Sequence, residues 1–377
     1  MKTFSCSAIQ SDGAGGAGRR LRRVGRWSGL VALGGWLLVG VAAGAAWAGM
    51  ELGIAGSRFT LDGRPTFLYG ASYYGALGAS REFIRRDLDD LQKLGFNWIR
   101  VWATWGMFDH DVSAVDRQGR PRAPFLERLQ WLVGECDRRG MVVDVTLTRG
   151  RGAGSVGSLS GHQRAVETLA RALRKHRNWY FDLANERNVR DARYVSMSEL
   201  KQLRDAVKRL DARRLVTASQ GGDINPAELR DYLFKARVDF IAPHRRRAAN
   251  SPAQTRSVTR QYLARMRELD RVVPVHYQEP FRRGYSPRRW QPTAGAFVED
   301  LRGALAGGAA GWCFHNGDQK DRPDGRPRRS FDLRRKRLFD QLDPVERKAL
   351  PQMAAVMANH RAQSPAPRPA PSQPQPH

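Results

Sequence analysis

With 377 residues, 41% of them hydrophobic and 9% aromatic, the chain has room for one large domain or two small ones and enough apolar side chains for a substantial core. Its formal net charge of +27 comes almost wholly from arginine, 55 Arg against 9 Lys, and these are spread along the chain. No single basic stripe interleaved with aromatics forms, which excludes a dedicated nucleic-acid partner.

The first 48 residues read as a targeting segment. Arg19, Arg20, Arg22, Arg23 and Arg26 form a positive region, an apolar run follows from Leu30 to Ala46, and Ala46-Trp47-Ala48 fits a small-x-small cleavage pattern. Cleavage after Ala48 makes residues 1–48 a signal peptide and the protein secreted or periplasmic. Uncleaved, the stretch 27–48 is long enough to anchor the chain in a bilayer, and only then is a membrane a partner. Cys6 belongs to this leader. Cys136 and Cys313 form neither a disulfide framework nor a metal-ligand spacing, so both read as small core residues and no metal is expected.

From Arg58 to Gly70 the chain reads as a β-hairpin turning at Asp62-Gly63. Apolar runs then alternate with amphipathic stretches. The runs lie at Phe67–Ala71, Asn97–Trp102, Met141–Leu147, Trp179–Leu183, Leu215–Ser219, Phe240–Ala242, Val273–Tyr277 and Ala309–Phe314. Helical patterns fall at Ser80–Leu94, Phe125–Arg139, Gly161–His176, Ser198–Leu210, Thr255–Leu269 and Thr293–Leu305. Short apolar strands alternating with longer helices imply parallel βαβ units. Eight of them predict an α/β fold, a (β/α)8 TIM barrel with a short N-terminal β-hairpin, over residues 49–361; an open doubly wound sheet is the alternative. Residues 362–377 end in a Pro-rich tail predicted to be disordered. The domain is expected to be monomeric.

A parallel barrel carries its chemistry at the C-terminal ends of its strands. The fourth run, NWYFDLANERN, places Asn185 and Glu186 there, and the seventh, VVPVHYQEP, places Glu279 in the equivalent place. Two carboxyl groups facing each other across a barrel mouth are what glycosidic cleavage requires, one to protonate the leaving oxygen and one to attack or to support the oxocarbenium-like transition state.

In order and spacing, FTLDGRPTFLYGASYY, DDLQKLGFNWIRVW, FDLANE, RLVTAS, VDFIAPH and GWCFHNG resemble the clan A glycoside hydrolases, particularly the family 5 cellulase and β-mannanase group. The resemblance implies a retaining hydrolase of β-linked polysaccharide or oligosaccharide, working by double displacement with Glu186 as acid/base and Glu279 as nucleophile. It further implies that Asn185 contacts the sugar, that Arg100 keeps Glu279 ionised, that His244 is the active-site histidine and that Trp312 is an aromatic platform. Trp102, Trp105 and Trp290 are further candidate platforms. The sequence departs from the family twice. DVTLTRGRG lacks a third-strand histidine, and His244-Arg245-Arg246 lacks the tyrosine that bonds the nucleophile. Tyr277 and Tyr74 are the candidates to replace that tyrosine.

Arginines crowd the predicted mouth (Arg149, Arg151, Arg187, Arg190, Arg245, Arg246, Arg247, Arg282 and Arg283), so an acidic glycan is one candidate substrate and general arginine richness the other explanation. Gly152 to Gly157 matches GxGxxG, with Asp182 placed like a ribose-binding acid. It follows the third strand and not a first one, and Thr148 to Arg151 intervene, so no nucleotide cofactor is expected and the stretch reads as a loop at the mouth. A barrel that binds cell-surface or matrix carbohydrate without cleaving it is the competing function.

Overall fold

A computed structural model describes residues 49–284, 290–316 and 331–363. The leader and the Pro-rich tail from residue 364 lie outside the described residues. Among the described residues no helix is long and apolar enough to cross a membrane.

Seven parallel strands form one curved sheet: Leu68–Ser72, Trp98–Trp102, Val142–Thr146, Trp179–Asp182, Val216–Thr217, His276–Tyr277 and Gly311–Phe314. In space the first strand pairs with both the second and the last. The segment 240–243 closes the ring as the sixth member through single parallel bridges, Gln220 to Pro243 on one side and Ile241 to Val275 on the other. The eight apolar runs therefore build a (β/α)8 barrel.

The helices between the strands begin where side chains cap them. Ser80, Ser158 and Thr293 each accept from a backbone N–H three residues on. Ser196 forms a reciprocal capping box with Glu199. Two features were not predicted. Leu52–Ala55 adds a third strand to the N-terminal hairpin, and Pro344–Gln363 forms a closing helix that extends two residues past the expected domain end.

Strand alternation divides the core. Leu68, Trp98, Val142, Tyr180, Phe240 and Cys313 belong to one cluster that fills the barrel, while Ile99, Val101, Val143 and Phe181 pack outward under the helices. Phe59 of the hairpin plugs the floor, edge-on to Phe240 at 5.0 Å and to His276 at 5.6 Å. The opposite, C-terminal face is left open.

Candidate active site

Arg100, in the middle of the second barrel strand, is fully buried, and its guanidinium ties three strands together. Its Nε donates to Asp144 and Thr146, both at 3.1 Å, and Nη2 donates to Asp182 at 2.6 Å and to the Asn185 side-chain oxygen at 3.0 Å. Nη1 donates to Glu279 Oε1. A buried guanidinium needs this many acceptors, since an uncompensated charge in the interior costs several kcal/mol. Burial pushes Asp144 up to about 8 against the pull of Arg100.

Glu279 collects donors from several strand ends. Tyr74, just after the first strand, donates to Oε1 at 2.8 Å, and Arg247 Nη2 donates to Oε2 at 3.1 Å. Burial pushes the Glu279 carboxyl up, yet the positive groups around it hold it well below the usual carboxylate range: His244 and His315 when protonated, and the permanently charged Arg100 and Arg247. Burial drives the proton off His315, so the two guanidiniums are the dependable part. Burial, reinforced by the Glu279 charge, also keeps the Tyr74 phenol protonated and therefore a donor.

Glu186 faces Glu279. It sits in left-handed backbone at φ +47°, its N–H bound to Ser219 Oγ at 3.0 Å. A non-glycine residue rarely adopts this conformation, and when it does the site is often functional. His244 Nδ1 lies 3.2 Å from Glu186 Oε1 and Arg193 Nη1 3.2 Å from Oε2. Because Arg100 Nη1 points at His244 Nε2 from 3.5 Å, that nitrogen accepts and Nδ1 carries the proton toward Glu186. Burial raises Glu186, but the Nδ1–H hydrogen bond from His244, the His244 charge whenever that ring is protonated, and Arg247 hold it below the usual carboxylate range against the opposing charge of Glu279.

Oxygens of Glu186 and Glu279 and a ring nitrogen of His244 all lie within 4.8 Å of one another. A metal ion could bridge such a set, but Arg100, Arg193 and Arg247 already engage the two carboxylates and oppose a cation. The carboxylates open into a small, mostly polar cavity of about 110 Å³. Tyr74, Trp102 and Trp105 form its aromatic side, with Tyr74 and Trp105 stacked at 5.0 Å. Asn185 lines it too, along with Arg193, Arg247 and Arg282.

Two expected site residues lie elsewhere. Trp312 is fully buried outside the barrel, its indole N–H donating to Asp300 at 2.6 Å, so it is a core residue and no platform. His315, three residues on, reaches the site instead: its Nδ1 is 2.9 Å from both Ser72 Oγ and the Tyr74 hydroxyl, and its Nε2 is 3.6 Å from Glu279. Tyr277 is likewise buried, bonded to Thr259 at 2.6 Å, and Tyr74 alone of the two candidates bonds Glu279. Trp290 packs on Phe281.

Of the mouth arginines, Arg149 pairs with Glu199, Arg187 binds Tyr232, Arg245 pairs with Asp223 and Arg283 with Asp343. Arg247 and Arg282 line the cavity, joined by Arg193, which no sequence pattern separated from the other arginines.

No protein-family model matches the sequence, and no curated protein matches it. Solved structures do match the fold. The endo-1,4-β-mannanase of Rhizomucor miehei superposes with a TM-score of 0.56 at 14% identity, over 82% of this chain and 99% of that one. A GH5_18 protein of Streptomyces cattleya, solved in complex with GlcNAc, does so with a TM-score of 0.56 at 20% identity, over 81% and 82% of the two chains. The likeness shows the fold, a (β/α)8 barrel like those of these two proteins.

Proposed function

We propose that this chain is a retaining glycoside hydrolase of β-linked polysaccharide or oligosaccharide, with Glu279 as nucleophile and Glu186 as acid/base. The carrying observation is that the two carboxylates face each other across the cavity with an oxygen of one within 4.8 Å of an oxygen of the other. Retaining enzymes hold their carboxyl groups about 5–5.5 Å apart, whereas inverting ones leave about 6.5–9.5 Å for a water. Glu279 is ionised and fixed by Arg100, Tyr74 and Arg247, as an attacking carboxylate must be. Glu186 stands on the facing strand end and lines the same cavity, the placement that protonating a leaving oxygen requires. Asn185 beside it is oriented by Arg100 for contact with the sugar. The structural relatives are glycosidases, one of them holding a sugar, which supports a carbohydrate substrate. The composition of residues 1–48 supports export.

The test is hydrolysis of β-mannan and β-glucan oligosaccharides by wild type, Glu186→Gln and Glu279→Gln, with the anomeric configuration of the first product read by NMR. Retention, and a loss of about 10²–10⁴-fold in each variant, are expected. Inversion, or activity that survives either change, removes the mechanism.

A silent carbohydrate-binding barrel is the second reading, favoured by the low-lying Glu186, which is ionised where a general acid needs a proton. It predicts binding of the same glycans by wild type with no turnover. The cavity arginines favour an acidic glycan among the substrates: three cations line it against the two glutamates, although Asp191 at the surface also pairs with Arg193. Neutral and acidic oligosaccharides bound equally, without dependence on salt, would remove that preference.

A further inference from the structure

We propose that one arc of the barrel floor, at the helix ends that lead into the fifth, sixth and seventh strands, docks on an anionic lipid bilayer. Leu210 and Phe234 enter the interface and the arginines around them meet the headgroups. The inference does not depend on the hydrolase reading.

In a parallel barrel each helix returns to the N-terminal end of the next strand, so the helix ends lie at the floor, opposite the carboxylate cavity. The helix Met197–Leu210 and the turn Tyr232–Ala236 both end there. They supply the two large apolar side chains that stand exposed among the described residues, Leu210 at 42% and Phe234 at 45%. One such side chain is ordinary on any surface. These two share one arc. Lys208 Nζ pairs with Asp239 at 2.9 Å and Arg204 Nε donates to the Arg237 carbonyl at 2.9 Å, so the helix end and the turn are bonded directly to each other. Arg271, at the next helix end, donates to the Leu233 carbonyl and to the Val238 carbonyl.

Charge on this arc is in excess. The stretches 208–214, 230–239 and 265–271 carry ten basic side chains and five acidic ones. Four of the acids are already paired, Asp239 with Lys208, Asp231 with Lys235, Asp211 with Arg214 and Glu268 with Arg265. Arg209 and Arg237 are exposed and pair with no acid among the described residues. Burial, and next the charge of Arg237, lowers Arg271 from its ordinary range, so the cations here repel one another and an anion relieves them. The Phe234 ring carries two of these cations with it, Arg230 at 5.6 Å and Arg271 at 6.0 Å from its centroid. A ring flanked by guanidiniums suits the headgroup boundary, where the apolar body leaves water and the cations stay beside phosphate.

The described chain also starts on this face. Met50 N–H donates to Asp137 at 2.9 Å, and Glu51 pairs with Arg213 at 3.1 Å, beside Leu210 in the chain. The apolar run Leu30–Ala46 lies just upstream in sequence. A retained leader therefore tethers the chain from the floor side, and a cleaved one leaves the arc itself as the contact. In both cases the carboxylate cavity is turned away from the bilayer.

The test uses the full-length chain with Cys6→Ser, which leaves only the buried Cys136 and Cys313, and a bimane probe on one added cysteine at a time. The positions are Leu210→Cys, Phe234→Cys and, as the control at the mouth, the exposed Arg151→Cys. Each protein meets vesicles of two parts brominated phosphatidylcholine to one part phosphatidylglycerol, and vesicles of brominated phosphatidylcholine alone. Bromine quenching is expected at 210 and 234 on the anionic vesicles, not at 151, and is lost in high salt. With the probe at 210, Arg209→Gln and Arg237→Gln should each lower the ratio of docked to undocked barrels about fivefold, and Phe234→Ser should lower it further. Equal quenching at all three positions, quenching indifferent to phosphatidylglycerol or to both arginine changes, or none at all overturns the proposal, whether or not the leader holds the chain to the vesicle. A probe shift on soluble dextran sulfate without quenching by lipid assigns the arc to a soluble polyanion and overturns it as well.

Discussion

Tyr74→Phe isolates one hydrogen bond to the proposed nucleophile. The phenol donates to Glu279 Oε1 at 2.8 Å, and the ring is held between Trp102 and Trp105, so phenylalanine keeps the packing and loses only the donor. His315 is not stranded by the change, because its Nδ1 also lies 2.9 Å from Ser72 Oγ. A hydrogen bond to a charged group is worth about 1.5–3 kcal/mol, and about 1.4 kcal/mol corresponds to one pKa unit. Since the bond stabilises the ionised carboxylate, its loss raises Glu279 by about one to two units. The acid limb of the kcat/KM profile should move up in pH by that amount. The linked stability effect has a definite sign. The folded-state pKa of Glu279 is depressed, so its contribution is present above the ordinary carboxylate pKa and disappears as pH falls, and Tyr74→Phe shrinks it. The assays are pH–rate profiles with an aryl β-glycoside and urea unfolding at neutral and acid pH. An acid limb that stays in place, with kcat/KM changed less than about twofold, would refute the assignment of Tyr74 as the partner of the nucleophile.

Trp312→Phe should cost stability, about 1.5–3 kcal/mol from the lost bond to Asp300, and leave kcat/KM within about threefold; a large catalytic loss at unchanged stability would return Trp312 to the sugar. Burial pushes Asp300 up to about 6, above its ordinary 3.8, so its own contribution to stability is fullest at low pH and declines as pH rises from about 4 to about 6, by about 3 kcal/mol. Asp300→Asn should flatten that slope in urea titrations, and an unchanged slope would place the titration elsewhere. With Glu186 held below the usual carboxylate range, the proposed acid holds its proton weakly, and kcat/KM should rise steeply as the aryl leaving group becomes more acidic. In Glu186→Gln the most acidic leaving group should be affected least; a uniform loss across the series would deny Glu186 the role of acid.

Much of the barrel was legible because its strands are buried on both faces and read as unbroken apolar runs. The same property hid which face each residue takes. In the last strand Cys313 packs inside the barrel and Trp312 outside, and in the seventh His276 meets the inner aromatics while Tyr277 packs outside. An apolar run gives no alternation to read, so Trp312 and Tyr277 were both assigned to the mouth one register step out. Asn185, Glu186, His244 and Glu279 come together at the mouth because they follow their runs, where loop geometry and not pleat decides direction. Tyr74 was found only as one of two candidates. Arg193 carried no signal, since 55 arginines offer no contrast, and its place depends on how the loop after the fourth strand folds back over Glu186.

The close spacing of the two glutamates matters for the proposed chemistry beyond the stereochemical outcome. The negative charge of Glu279 is one of the terms that raises Glu186. When Glu279 becomes a neutral glycosyl ester that term vanishes, and Glu186 falls further toward its ionised form. A base is what the second step requires, to activate water against the ester. One pair of residues therefore supplies an acid while the nucleophile is charged and a base once it is not, with no other group moving. His244 and Arg247 touch both carboxylates, so they bias this exchange toward the base form throughout.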